Sequence, residues 1–89
     1  MAKYRVSVKP SAVNEIEAIP LKKDRQRLME RIGKLAENPR PFGCEKLSGK
    51  DKYRLKQGRY RIVYSIKDQD LAVTVVKVGH RKDVYHSIN

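Results

Sequence analysis

The sequence has few of the residues on which small metal-binding or catalytic sites usually depend. Among its 89 residues there are two histidines, no tryptophan and one cysteine, Cys44. A single thiol excludes an internal disulfide and a cysteine-based metal site, and no GxSxG, HExxH or phosphate-binding glycine loop is present. We therefore expect a domain held together by packing alone, with a shallow surface site and no metal or other cofactor.

Acidic residues are scarce as well, and this imbalance points to the class of partner. Ten Asp and Glu residues oppose 21 Lys and Arg residues, which gives a formal net charge of +11. A polyanionic partner, such as nucleic acid, an acidic protein or an anionic membrane, relieves the self-repulsion of such a domain. No apolar run approaches the roughly 18 residues of a membrane span, and the N-terminus lacks the apolar stretch of a signal peptide. The composition predicts a cytoplasmic protein with no membrane partner.

The spacing of apolar residues predicts a single α+β domain over residues 1–89. A strand is followed by two helices, the first capped by Ser11 and separated from the second by Pro20. The last three strands, divided by Gly58 and by residues 68–70, form an antiparallel meander, and Gly79 ends the last strand. We expect the helical hairpin to pack on one sheet face. The strands are predicted at residues 3–9, 52–57, 59–67 and 71–78. The second helix carries an apolar stripe made of Leu21, Leu28, Met29, Ile32, Leu35 and Ala36.

Basic residues concentrate around the first turn of the meander. Alternation places Arg54 and Lys56 on one face of their strand and Arg59 and Arg61 on one face of the next, so a hairpin brings all four together. Such a face fits a phosphate backbone; the alternative is a solvated face that protects the sheet from edge aggregation. The seven basic residues between positions 46 and 61, opposed there only by Asp51, are Lys46, Lys50, Lys52, Arg54, Lys56, Arg59 and Arg61.

A second group of polar residues follows the last predicted strand. Arg81 suits a two-pronged contact with phosphate, and Tyr85 suits stacking on an exposed RNA base. His80 suits proton transfer near neutral pH. The alternatives are that His80 is a surface turn residue and that Tyr85 packs on the core.

The ordered set of motifs along the chain resembles the RelE toxins of bacterial and archaeal toxin–antitoxin pairs. The resemblance extends over essentially the whole chain. In that family the toxin enters the ribosomal A site and cuts the mRNA there, and an antitoxin wraps the toxin and blocks it. The motifs that carry the resemblance are Lys46-Leu47-Ser48-Gly49, Tyr53-Arg54-Leu55-Lys56, Gly58-Arg59-Tyr60-Arg61-Ile62-Val63-Tyr64 and Val78-Gly79-His80-Arg81-Lys82-Asp83-Val84-Tyr85.

The resemblance implies a metal-independent endoribonuclease that uses the 2′-hydroxyl of RNA, with a RelB-like antitoxin, the ribosome and mRNA as partners and a toxin–antitoxin hetero-oligomer as its inhibited form. The better-studied relatives have lysine in place of Arg54, and arginine is not deprotonated in proteins. Lys56 is then the candidate base, because neighbouring positive charges lower the pKa of an ammonium group. The implied catalytic residues are Arg54, Lys56, Arg61, Arg81 and Tyr85, with His80 held more weakly. The implied RNA-binding residues are Lys46, Lys50, Lys52 and Arg59.

Two other functions remain open at this point. One is a ParE-like toxin, a relative of the same fold that acts on DNA gyrase by binding, and the other is a non-catalytic module that binds RNA or the ribosome. ParE-like chains usually lack the basic and tyrosine set, so Arg61, Arg81 and Tyr85 favour the nuclease. We expect the side chains of Arg61 and Arg81 to lie outside the core, so that their removal costs little stability.

Overall fold

A computed structural model describes residues 3–47 and 51–82 of the chain. Lys50 and Tyr85, which the sequence assigns to the site, lie outside these residues. Among the helices in the described ranges, none combines the length and the apolar character that crossing a bilayer requires.

Two helices pack on a five-stranded sheet, which confirms the predicted α+β fold. The strand order is β1-β5-β4-β3-β2; β1 runs parallel to β5, and the other neighbours are antiparallel. The predicted meander is therefore the centre of a larger sheet. The elements are β1 (Arg5–Val8), α1 (Pro10–Glu17), α2 (Lys22–Lys34), β2 (Glu45–Lys46), β3 (Lys52–Gln57), β4 (Tyr60–Lys67) and β5 (Ala72–His80), with one turn of 3-10 helix at Asp68–Asp70.

Besides differences of one or two residues at the ends of β1 and at the start of β5, the strands differ from the predicted ones at three places. Strand β2 lies in a segment for which no strand was expected, because two residues are too few to show alternation. Arg59 belongs to the β3–β4 turn rather than to β4, and Gly58 takes a φ of +59°, which glycine adopts without steric cost. Strand β5 runs on through Gly79 to His80, because both residues still pair with β4.

The helices begin without the side-chain cap that the sequence suggested. Pro10 opens α1, where its fixed φ suits the first turn, and Ser11 lies inside the helix, so the predicted Ser11 cap is wrong. Helix α2 begins at Lys22, after Pro20. Leu21 and Met29 belong to the predicted apolar stripe, yet they are 61% and 50% exposed.

The core lies between the helices and one face of the sheet. Leu55, Ile62 and Val78 align across β3, β4 and β5 and are almost fully buried. Because strand side chains alternate, the residues before and after them point away from the helices. The other core residues are Ala12, Ile16, Ile19, Leu28, Ile32, Leu35, Tyr64, Ile66, Val73 and Val75.

A polar cluster joins the loop after α2 to the end of β4. The Arg40 guanidinium donates two hydrogen bonds to Asp68, at 3.1 and 2.9 Å, and the Tyr4 hydroxyl donates to the same carboxylate at 2.7 Å. The buried Tyr64 hydroxyl donates to the Pro39 carbonyl at 2.8 Å. These contacts fasten the loop at the end of the sheet opposite the β3–β4 turn.

This cluster predicts an acid-sensitive contribution to stability. Hydrogen bonds from Arg40 and Tyr4 lower the pKa of Asp68 to about 2, whereas the unfolded carboxyl titrates near 4. The unfolded chain therefore binds more protons between these values, and the free energy of unfolding should fall as the pH drops from about 4 to about 2. Urea unfolding across this range should show a smaller fall in Asp68→Asn than in the wild type. Asp70→Asn, in the same 3-10 turn, is the control, and equal pH dependence in all three proteins would contradict the prediction.

Candidate nucleic-acid interface

Lys56 and Arg61 face each other across β3 and β4 on the sheet face that the helices leave open. The register pairs them directly, and Arg61 in turn lies opposite Gly79 on β5. Like charges in directly opposed positions destabilise a sheet, and Gly79 adds no side chain to the row. This cross-strand row therefore places two cations directly opposite each other, an arrangement that an anion would stabilise.

The Arg61 side chain lies outside the core, as expected, but it is buried on its own face of the sheet, so the expectation that its removal costs little stability is not supported. The residue is only 8% exposed. Its Nη1 donates to the carbonyls of Gly58 at 3.0 Å and Tyr60 at 2.8 Å. Its Nε is buried and has no hydrogen-bond partner within the described residues. The backbone of the β3–β4 turn thus holds the guanidinium in place before any ligand arrives.

Arg54 lies on the same face but is already paired with an acid. Its Nη2 contacts Glu45 Oε2 at 2.7 Å, and its side chain is 13% exposed. Glu45 stands directly opposite Arg54 on β2. Glu45 lies one position before the segment 46–61, in which Asp51 is the only acidic residue, so the basic cluster has an acidic neighbour on its N-terminal side. Arg54 consequently brings less uncompensated positive charge to this face than the sequence suggested.

The end of β5 lies beside the β3–β4 turn, so Arg81, the residue directly after β5, is placed next to this turn. The Arg81 backbone N–H donates to the Arg59 carbonyl at 2.9 Å, and both residues are exposed. Arg59, Arg81 and the pair Lys56–Arg61 therefore collect at one end of the sheet. We call these four residues the basic end.

His80 and Lys46 are not brought to this face. His80 pairs with Tyr60, and the two rings meet edge to face with centroids 6.1 Å apart. Tyr60 packs against the core, so its partner lies on the helix side of the sheet. Lys46 pairs with Tyr53, which also packs against the core. Alternation thus separates both residues from Lys56 and Arg61.

Lys52 does share the open face, further from the turn. It pairs with Ser65 and follows the same alternation as Arg54 and Lys56. Successive members of this row are two residues apart, which is roughly 7 Å along a strand. A line of positive side chains therefore runs from Lys52 to the basic end, at a spacing that suits consecutive phosphates of an extended strand.

The sequence of this chain is similar to those of known toxins. The family described as the ParE toxin of type II toxin–antitoxin systems, parDE, matches residues 6–85. A RelE-like toxin protein of Escherichia coli is 33% identical over 89 residues, covering 94% of this chain and 92% of the relative.

The chain is also similar to toxins in solved structures of toxin–antitoxin complexes. The archaeal RelE–RelB complex from Pyrococcus horikoshii contains a chain that is 31% identical, with a TM-score of 0.79, covering 91% of this chain and 97% of that one. The intact E. coli RelBE toxin–antitoxin complex contains a chain that is 29% identical, with a TM-score of 0.74, covering 86% of this chain and 95% of that one. The likeness extends over nearly the whole fold, including the strands that carry the basic end.

Proposed function

Because this chain belongs to the ParE and RelE-like toxins of type II toxin–antitoxin systems, we propose that it is a ribosome-dependent endoribonuclease of the RelE kind, which arrests translation by cutting mRNA in the A site. The observation that carries the proposal is the basic end: Lys56 and Arg61 face each other, Arg61 is fixed by backbone carbonyls, and Arg81 arrives beside them. A binding surface needs positive charge, but it does not need a buried arginine held in one position. Preorganised charge of this kind is what a transition state with growing negative charge requires.

The proposed reaction uses the nucleophile that RNA itself supplies. The 2′-oxygen attacks the adjacent phosphorus, its proton passes to a base, and the bond from phosphorus to the 5′-oxygen breaks as that oxygen gains a proton. The products are a 2′,3′-cyclic phosphate and a 5′-hydroxyl. Arg61 and Arg81 stabilise the extra negative charge on the pentacoordinate phosphate, while Arg54 and Lys52 hold the strand further from the β3–β4 turn.

Lys56 is the residue that we propose as the base. It is exposed and lies opposite Arg61, within the same cross-strand row. We keep Tyr85 as the residue that stacks on or orients a codon base. His80, the candidate acid, lies on the helix side of the sheet. To protonate the leaving 5′-oxygen, its side chain would have to reach the open face past the end of the sheet.

Induced expression followed by mapping of mRNA 5′ ends tests the proposal directly. The expected result is a set of new 5′ ends inside coding sequences, in register with codons, that disappears in the Arg61→Ala, Arg81→Ala double variant. Translation arrest without new 5′ ends would instead identify a non-catalytic module that binds RNA or the ribosome.

Lys56→Arg separates charge from proton transfer. The variant keeps the positive charge opposite Arg61 but removes the base, because arginine remains protonated. We expect cleavage on isolated ribosomes to fall by about 10²-fold or more, the usual size of a general-base contribution, while binding to RNA changes little. Lys52→Arg, one end of the same row, is the control. Substantial residual cleavage in Lys56→Arg would assign the base to Tyr85 or His80.

Binding to single-stranded RNA should weaken steeply with salt. Five phosphate contacts, about the number that the open face can make, correspond to a slope of about −3.5 for log K against log salt concentration. A fluorescence anisotropy titration at several salt concentrations measures this slope. A slope near zero would contradict the assignment of the open face to RNA.

The proposed inhibitor is a RelB-like antitoxin with an acidic surface. The Pyrococcus and E. coli structures are complexes of RelE with RelB, and a net charge of +11 favours an acidic partner for this toxin. We propose a toxin–antitoxin hetero-oligomer in which acidic groups cover the basic end and block access of mRNA to it.

The alternative function is that of a ParE-like toxin acting on DNA gyrase, which the match to the ParE family favours. The two functions predict different damage in the cell. Gyrase inhibition produces DNA breaks and a DNA-damage response with intact mRNA, whereas the nuclease produces cut mRNA with intact DNA. Measuring both in one induction experiment decides between them.

A further inference from the structure

Strand β5 loses one of its two neighbours just before it reaches the basic end. Strand β1 ends at Val8, opposite Val75, and the Lys9 N–H makes the last contact, to the Val75 carbonyl at 2.9 Å. Beyond that point β5 has a strand partner only in β4 among the described residues, through Lys77, Val78, Gly79 and His80. Within residues 3–47 and 51–82, the segment that carries Gly79 to its place opposite Arg61 is therefore an edge of the sheet.

A carboxylate from α1 occupies the place of the missing strand. Glu15 Oε1 accepts a hydrogen bond from the Val78 backbone N–H at 3.0 Å, and Glu15 Oε2 accepts one from Lys77 Nζ at 2.8 Å. The Glu15 side chain is 31% exposed, so water competes only partly for these contacts. One side chain thus takes two donors from consecutive residues of β5.

We infer that Glu15 is a positioning residue for RNA cleavage: by accepting the Val78 N–H, it fixes the end of β5 and so holds Gly79 and Arg81 against Arg61. The inference rests on the proposed function. Val78 is buried and immediately precedes Gly79, so a shift of its backbone is passed directly to the row that contains Lys56 and Arg61. Small displacements of this kind reduce catalysis strongly, by about 10²-fold for 1 Å.

The backbone contact, and not the ion pair with Lys77, is the part that matters in this inference. Glu15→Gln keeps an oxygen that accepts the Val78 N–H but loses the charge. Lys77→Met removes the ion pair and leaves the Val78 contact intact. Glu15→Ala removes both, and Glu17→Ala, on the same helix and exposed, matches its change in net charge.

The test measures single-turnover mRNA cleavage on ribosomes and amide hydrogen exchange of the free protein. In Glu15→Ala we expect the maximal rate to fall about 10-fold or more with little change in KM, together with faster exchange at residues 78–81 and unchanged exchange in β4. Glu15→Gln and Lys77→Met should cleave within a few-fold of the wild type.

Three results would overturn the inference. One is cleavage by Glu15→Ala equal to that of Glu17→Ala, and another is cleavage by Glu15→Gln as slow as that of Glu15→Ala. The third is a uniform increase of exchange across the sheet in Glu15→Ala, which would indicate general destabilisation. A wild-type protein that cuts no mRNA would refute the proposed function itself, and the inference with it. The wild type is therefore assayed first, before any variant is compared.

Discussion

Replacing Arg81 by alanine is expected to lower the rate of mRNA cleavage by about 10²–10³-fold, the usual cost of losing one donor to a transition state. The side chain is exposed, and the contact that places the residue is made by its backbone N–H to Arg59. The free energy of unfolding should therefore stay within about 0.5 kcal/mol of the wild type. Cleavage on isolated ribosomes and urea unfolding measure the two quantities.

Lys82→Ala provides the matched control for Arg81→Ala. Lys82 is the next residue, is also exposed and carries the same charge, so it reports what the loss of one positive charge does by itself. If both variants slow cleavage equally, Arg81 contributes only to the general attraction for RNA. If Arg81→Ala cuts at the wild-type rate, Arg81 lies outside the reacting site.

Arg61→Ala is expected to lower both activity and stability. Besides a loss of about 10²–10³-fold in cleavage rate, the variant leaves the Gly58 and Tyr60 carbonyls without the donor that now serves both. We expect this loss to lower the free energy of unfolding by about 1–3 kcal/mol. Removal of the charge repulsion between Arg61 and Lys56 offsets part of that decrease. Arg61→Lys keeps the positive charge but loses the planar guanidinium that serves both carbonyls, so its activity and stability should fall between those of the wild type and Arg61→Ala.

The effect on activity must be measured on folded protein. Cleavage rates for Arg61→Ala should be compared at a temperature where unfolding curves show that the chain is folded, with the exposed Arg59→Ala as control. An unchanged free energy of unfolding would show that the turn does not depend on this side chain in solution. A folded Arg61→Ala protein with full activity would exclude Arg61 from the reaction.

The sequence predicted the elements whose apolar residues repeat over several turns or strand pairs. Helix α2 and the meander of β3, β4 and β5 have such repeats, and all four elements are present where the sequence predicts them. Strand β2 has only two residues and no repeat to detect, and it forms because Glu45 and Lys46 lie against β3. Met29 fits the helical stripe by spacing, yet it is half exposed and lines a surface groove together with Val13 and Arg25.

The side chains of the site were harder to predict than the fold. Alternation correctly placed Lys56 and Arg61 on one face, because the turn at Gly58 sets the register of the hairpin. It could not show that Arg61 bends back to the turn and becomes buried, since that depends on the carbonyl directions of the turn. Glu15 lies 63 residues from Val78 in sequence, and no local pattern connects them.

The parallel pairing of β1 with β5 also determines how late in its synthesis the chain can complete its sheet. Arg5 pairs with Ala72, and Val8 pairs with Val75, so nearly the whole chain must be made before its first strand finds a partner. Pairing across such a long separation folds slowly. Gly79 lies in the same strand and meets Arg61 only when β5 pairs with β4, so the basic end is not assembled until the chain has been made through β5.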